Sequence, residues 1–295
     1  MTRMIPYILL TFSVLALSQA GNLVKLCETN PISIAFYRLF FAFLILLPFS
    51  YRLLWKNLAI IKRKDLFVII LMGMTFALHF FAWFIAVKAT KVANAAMCFS
   101  FYPVFSSLGA FFLFKERPSL GTLIAIISGI LGLILVGLDD VSFSSSYLFG
   151  DLMAVVGGLC FAIYFIIGKS LRNRFDNLFL MPLVFLTGSV LSCVVMFTFD
   201  LPFFDFGIKT ALALMSLVLF PTLLGHASLI YVLKRFKVSL VSTATLAEPV
   251  LAGIVAFFLF GERLTTATIA GYFLIALGLL CMIYFPEKAK KGISS

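Results

Sequence analysis

The chain has 295 residues, 63% hydrophobic and 12% charged, with a mean hydropathy of +1.15 and a formal charge of +11. No soluble domain can hide that much apolar surface, so a water-soluble globular protein is excluded. The basic residues are scattered over separate short segments with no single patch, which argues against a nucleic-acid partner.

Ten apolar runs of about 18–23 residues, near 5–24, 31–50, 66–87, 93–114, 119–137, 149–170, 178–200, 209–233, 239–260 and 266–285, are separated by short polar turns. At about 1.5 Å per residue that length spans a hydrocarbon core of about 30 Å. Backbone groups in lipid must be satisfied within the segment, and runs this long and continuous are helices, not barrel strands. The fold class predicted is an all-α integral membrane protein with ten transmembrane helices.

The first span has features of a signal peptide: Arg3, an apolar core, and Ser18-Gln19-Ala20 before Gly21. Cleavage is not expected, because the same span recurs at 151–170. Gln19 and Asn22 lie towards its outer end. The second span begins after Pro31 and holds Arg38 about two turns inside, deep enough to be costly unless it snorkels or is paired. Snorkelling to the outer face is the expectation. The basic 51–65 loop is expected to lie on anionic lipid.

The third span carries His79 near mid-membrane, with Trp83 one turn on and on the same face. The eighth carries His226 at similar depth, and these are the chain's 2 histidines. Both readings stay open, structural hydrogen-bonders or members of a site. The fourth span carries Asn94, Tyr102 and Pro103; the ninth carries Thr245, Glu248 and Pro249. Each proline frees the carbonyl four residues back, on Phe99 and Thr245. Glu248 is the only carboxylate well inside a span, so it is protonated, paired or in a wet cavity. It is read either as a substrate-cation or proton site, or as a neutral structural hydrogen-bonder. Glu116-Arg117 and Glu262-Arg263 are read as turn caps before spans 5 and 10. Spans 5 and 10 carry small residues and no interior charge, Ser106/Ala110 and Ala252/Ala256 repeat a small-xxx-small spacing that lets helices pack closely, and span 6 adds Tyr164 at mid-depth. The 5 cysteines show no paired spacing and are read as packing residues, neither disulfides nor metal ligands.

The chain repeats itself. Residues 88–133 laid on 234–279, a shift of 146, give 16 identities in 46 ungapped positions, including Pro103 on Pro249 and Glu116-Arg117 on Glu262-Arg263. Composition alone would give roughly a third of that. Five spans per repeat is odd, so the second copy enters the membrane inverted. The expected organisation is a first repeat over 1–138, a polar outer linker over 139–148, a second repeat over 149–287 and a basic tail over 288–295. With the N-terminus inside, inner segments hold 17 basic residues and outer segments 5, which puts both termini in the cytoplasm.

Two five-helix halves each closing on F-x-E-R, with Glu248-Pro249 and the LLGH at 223–226, resemble the EamA-type branch of the drug/metabolite transporter superfamily over essentially the whole chain. The resemblance implies two inverted EamA repeats in an inner or plasma membrane. It also implies a central cavity lined mainly by helices 1, 3, 4, 6, 8 and 9. Onto this sequence that cavity brings Gln19, His79, Trp83, Tyr102, Tyr164, His226 and Glu248 as candidate substrate-binding residues, with Glu248 as the candidate proton-coupling group. The implied function is secondary transport, by alternating access, of a small metabolite such as an amino acid, directed outwards. No cofactor is implied. The expected partners are the substrate and membrane lipid, with the chain a monomer or homodimer.

The alternative class is an integral-membrane enzyme acting on lipid-linked substrates. It calls for clustered catalytic groups at one interface, and the sequence offers no metal set and no nucleophile–base pair. A channel would need a continuous polar lining, and no phosphate-binding loop supports an ATP-driven pump.

Overall fold

The computed structural model describes residues 4–90, 92–137, 147–203, 206–261 and 264–285, with backbone alone at 92–94, 97 and 260. The inter-repeat linker, the basic tail, Glu262-Arg263 and the side chain of Asn94 lie outside the described residues.

The first half holds α1 (Ile5–Lys25), α2 (Pro31–Leu58), α3 (Arg63–Ala89), α4a (Val92–Phe99), α4b (Tyr102–Phe114) and α5 (Leu120–Gly137). The second holds α6 (Leu148–Arg172), α7 (Asn177–Thr198), α8 (Ile208–Val232), α9a (Val238–Ala244), α9b (Glu248–Phe260) and α10 (Thr266–Tyr284). Among the described residues, 9 helices are long and apolar enough to cross a bilayer, with α9 counted whole. The tenth span, α4, misses that length because it is cut at Ser100-Phe101.

The sequence explains the starts and the cuts. Pro31 opens α2, and the Asn30 side chain accepts from the Ile32 amide at 2.9 Å. Thr265 caps α10 by accepting from the Thr268 amide at 3.1 Å. Pro103 and Pro249 lack an amide proton and disfavour helical geometry in the residue before them, so each span breaks and restarts there. The join in α9 is one 3-10 turn, Thr245–Ala247. In α8 the central 10 residues, Val218–Ala227, wind as a π-helix around Pro221, and the Thr222 hydroxyl donates to the Leu217 carbonyl at 2.8 Å.

α3 packs against α6 and α7, α2 against α7, α1 against α8, and α5 against α10. Phe76, Phe165, Phe179 and Phe185 are fully buried in the core these contacts enclose. The small residues of α5 and α10 let the two helices mesh. A Cβ on Gly132 would lie 2.6 Å from the Gly271 carbonyl oxygen, and one on Gly271 would lie 2.4 Å from the Gly132 oxygen. Gly271→Val is therefore expected to cost about 2 kcal/mol or more, since rigid backbone must give way. Gly21→Ala in α1 meets nothing within 4 Å and is expected to be neutral or stabilising. Thermal melting of the two purified variants checks the contrast.

The face where α1 begins and α10 ends, called here the basic face, is pinned by polar contacts. Glu116 accepts from the Val238 amide at 3.1 Å and pairs with Lys169 at 3.5 Å. Lys169 also donates to the carbonyls of Leu233 and Phe236, at 2.7 and 2.6 Å. Lys237 donates to the Arg117 carbonyl at 2.8 Å. Arg174 grips Asp65 through two bonds of 2.6 Å. This corrects the turn-cap reading of Glu116. Its carboxylate serves the start of α9 and a lysine of α6, because the α4–α5 turn is pressed against the α8–α9 turn.

The two halves of the broken helices are not equivalently engaged. On the basic side α4b packs on α9a, where Tyr102 donates to the Ser242 carbonyl and Ser106 to the Ser242 hydroxyl, both at 2.8 Å. Their repeat counterparts, α4a and α9b, share no hydrogen bond among the described residues: α4a packs on α6, α5 and α3, and α9b on α1. Among the described residues, hydrogen bonds between the broken helices thus join the halves at the basic face and not at the far one.

Candidate functional site

The site is centred on the two breaks. Tyr102 and Glu248 each open the second segment of a broken helix, and they occupy equivalent positions under the 146-residue shift. Tyr102 bonds Ser242 on α9a, and α9a leads through the single turn Thr245–Ala247 to Glu248. The repeat thus sets a phenol and a carboxyl at the two mid-membrane joints.

Tyr102 is buried and fixed by its bond to Ser242. Glu248 is half-buried and has no hydrogen-bond or ion-pair partner among the described residues. Around Tyr102 lies a continuous aromatic cluster. His79 stacks on Phe161 with ring centres 4.5 Å apart, and its Nδ1 lies 3.1 Å from the Gly157 carbonyl. Tyr164 stacks on Phe76 at 4.3 Å, and Phe76 meets the edge of His226 at 4.8 Å. The two histidine rings are 6.4 Å apart. Trp83 joins through Phe99, at 4.8 Å. Gln19 sits at the bend in α1 and accepts from Asn22 at 3.0 Å, while Asn22 also donates to the Ala252 carbonyl of α9b at 3.2 Å.

His79, Trp83, Tyr102, Tyr164 and His226 therefore form one cluster, and Gln19 with Glu248 belongs to the neighbouring α1–α9b wall. The expected open cavity needs correction. Tyr164 is fully buried, His226 is 4% exposed and His79 5%, so these rings pack on one another. Gln19, Trp83 and Glu248 retain partial exposure. A surface groove of about 500 Å³ lies elsewhere, at the end of α2, against Tyr51 and Trp55.

Arg38 is the functional candidate that sequence reasoning missed. Snorkelling was expected; instead the side chain is 1% exposed and turned inwards. Its Nε donates to Thr222 at 3.2 Å, and its guanidinium lies 4.3 Å from the centre of the Phe80 ring. Thr222 lies on the π-helix, whose wide winding gives Arg38 a polar group to reach. The available signal was that Arg38 is the one basic residue well inside a predicted span, Lys169 and Lys209 lying at span ends. Three buried polar atoms have no hydrogen-bond partner among the described residues in this quarter: Arg38 Nη2, His226 Nδ1 and Tyr164 Oη. Phe80 touches both Arg38 and His226, and Phe76 touches both His226 and Tyr164. Unpaired buried polar groups are costly and mark a place where a polar ligand or water is favoured.

Comparison with known proteins places this arrangement. A crystal structure resembles the chain with a TM-score of 0.80 over 95% of this chain and 96% of its own, at 16% identity, a likeness of fold alone. An uncharacterized transporter of Archaeoglobus fulgidus is 30% identical over 253 residues, which is 85% of this chain and 86% of the relative. The uncharacterized transporter YdfC of Bacillus subtilis is 22% identical over 86% of this chain and 82% of its own. The model of the EamA-like transporter family matches residues 4–138 and again 148–284. With two inverted five-helix repeats, matching central breaks and both family matches in register with them, the chain belongs to the EamA-like transporter family.

Proposed function

We propose that the protein is a secondary transporter that exports a small metabolite, such as an amino acid or a related compound, by alternating access coupled to protons. The observation that carries this reading is the paired break. Two inverted halves are interrupted at equivalent mid-membrane positions, one gate is engaged and its counterpart is not. Interrupted helices at matching positions of inverted repeats mark transporter binding sites. With the basic face in the cytoplasm, as the distribution of Lys and Arg favours, the conformation described is outward-facing.

Gln19, Trp83 and Glu248 border the accessible wall. His79, Tyr102, Tyr164 and His226 form its aromatic floor, suited to a flat or cationic group. Arg38 shares Phe80 with His226 and offers an anionic group its unpaired Nη2. Together with Glu248 it favours a molecule with both charges over a multiply anionic one. Glu248 is the proton site in this reading, being a carboxyl inside a span and free of a partner. Family membership is what speaks against an enzyme acting on lipid-linked substrates.

The test is thermal melting of the purified protein with amino acids, nucleosides, methylated sulfonium compounds, polyamines and lipophilic cations. A ligand at about 100 times its Kd stabilises by about 2.7 kcal/mol. One class should stabilise the wild type and lose its effect in Glu248→Gln. Stabilisation unaltered by that substitution would remove Glu248 from the site.

A further inference from the structure

The engaged gate predicts the chemistry of the one that is not. At the basic face the Tyr102 hydroxyl donates to the Ser242 carbonyl, and α4b closes on α9a. Under the 146-residue shift Tyr102 becomes Glu248 and Ser242 becomes Ala96. The second closing contact, Ser106 to Ser242, becomes Ala252 against Ala96, which cannot form a side-chain hydrogen bond. Closure of the far face by the same geometry therefore brings the Glu248 carboxyl to the Ala96 carbonyl. That oxygen already accepts from the Ser100 amide at 3.0 Å and has a second lone pair. A carboxylate has no proton to donate and repels a carbonyl oxygen; a protonated carboxyl donates as a phenol does.

We infer that Glu248 is the latch of the far gate, and that it closes that gate only when protonated, by donating to the Ala96 carbonyl in place of the Tyr102–Ser242 bond of the basic face. The inference deepens the proton-coupled reading above and rests on it. The proton comes from water at the far face, rides on the Glu248 carboxyl while the O–H bonds Ala96, and passes to water at the basic face as that bond breaks. No other bond is made or broken. The titratable side chains on the elements around the joint are Tyr102 on α4b, Lys25 at the end of α1 and Tyr272 on α10, whose hydroxyl lies beside Gly253 of α9b. Of these side-chain types, a carboxyl is the one whose ordinary range lies nearest the acid and neutral pH of the test.

The test reads the gate directly. Spin labels are placed at Lys88, exposed in the last turn of α3, and at Leu259, exposed on α9b, in a full-length background with the five cysteines replaced. Double electron–electron resonance then gives the separation across the far face without substrate. As pH falls, the ratio of short to long separations in the wild type should rise, by at most about tenfold per pH unit for one linked proton. Glu248→Gln carries a permanent N–H donor and should show the short separation at every pH. Glu248→Ala has no donor and should lack it at every pH. A flat wild-type response, a pH shift surviving in Glu248→Gln, or alanine behaving as glutamine would each overturn the latch. Flat distances with intact pH-gradient-driven transport would condemn the latch alone. Loss of both transport and any ligand response would condemn the transporter reading itself.

Discussion

Glu116→Ala is expected to lower stability by about 3–5 kcal/mol, as removal of one member of a buried ion pair does. The carboxylate neutralises Lys169 and caps the Val238 amide. Without it a buried ammonium loses its carboxylate partner. Lys169→Met is expected to cost less than Lys169→Ala, because its flexible chain fills the same channel. The double variant Glu116→Gln, Lys169→Met should recover much of the loss, since neither charge is stranded. Thermal melting of the four proteins checks this series. Equal losses in the single and double variants would show that packing, not charge, dominates. The same contacts hold the basic face shut, so Glu116→Ala should also raise the access of a water-soluble thiol reagent to a cysteine placed at Ser242.

Arg38→Met is expected to separate stability from function. The guanidinium is buried with one N–H unpaired and without a carboxylate partner among the described residues. Methionine of similar length keeps the packing against Phe80 and removes the desolvated charge. Stability should hold or rise by about 1 kcal/mol or more, while export of the substrate falls at least roughly tenfold, the equivalent of about 1.4 kcal/mol of lost binding. Melting and efflux from loaded cells are the two measurements. A large loss of stability with transport unimpaired would make Arg38 a structural residue.

Much of this architecture is written in the residues. The 146-residue repeat located both breaks, because proline acts through its own ring and needs no tertiary context. The meshing of α5 and α10 through Gly132 and Gly271 is a finding of the structure, since small residues in a span do not say which helix they meet. Arg38 was misread because depth in a span does not say which way a long side chain turns; the direction is set by Thr222, 184 residues away. The π-winding of α8 was invisible, since Pro221 alone does not distinguish a kink from a wide turn. Glu116 was assigned to its own neighbour, when the partners that claim it come from α6 and α9.

The glycine seam between α5 and α10 limits how the rest can move. Carbonyl oxygens stand where side chains would be, at Gly132, Gly271 and, through Cys281, at Gly121. Surfaces meshed backbone to backbone have no slack to slide, and a shift of even one ångström would force atoms together. Under the alternating access proposed above, that seam is the pivot. Any rocking of one half against the other turns about it, and the displacement must be absorbed where the chain is already jointed, at Ser100-Phe101 and Thr245–Ala247. Stiffening either joint would freeze the machine without touching its floor or its walls.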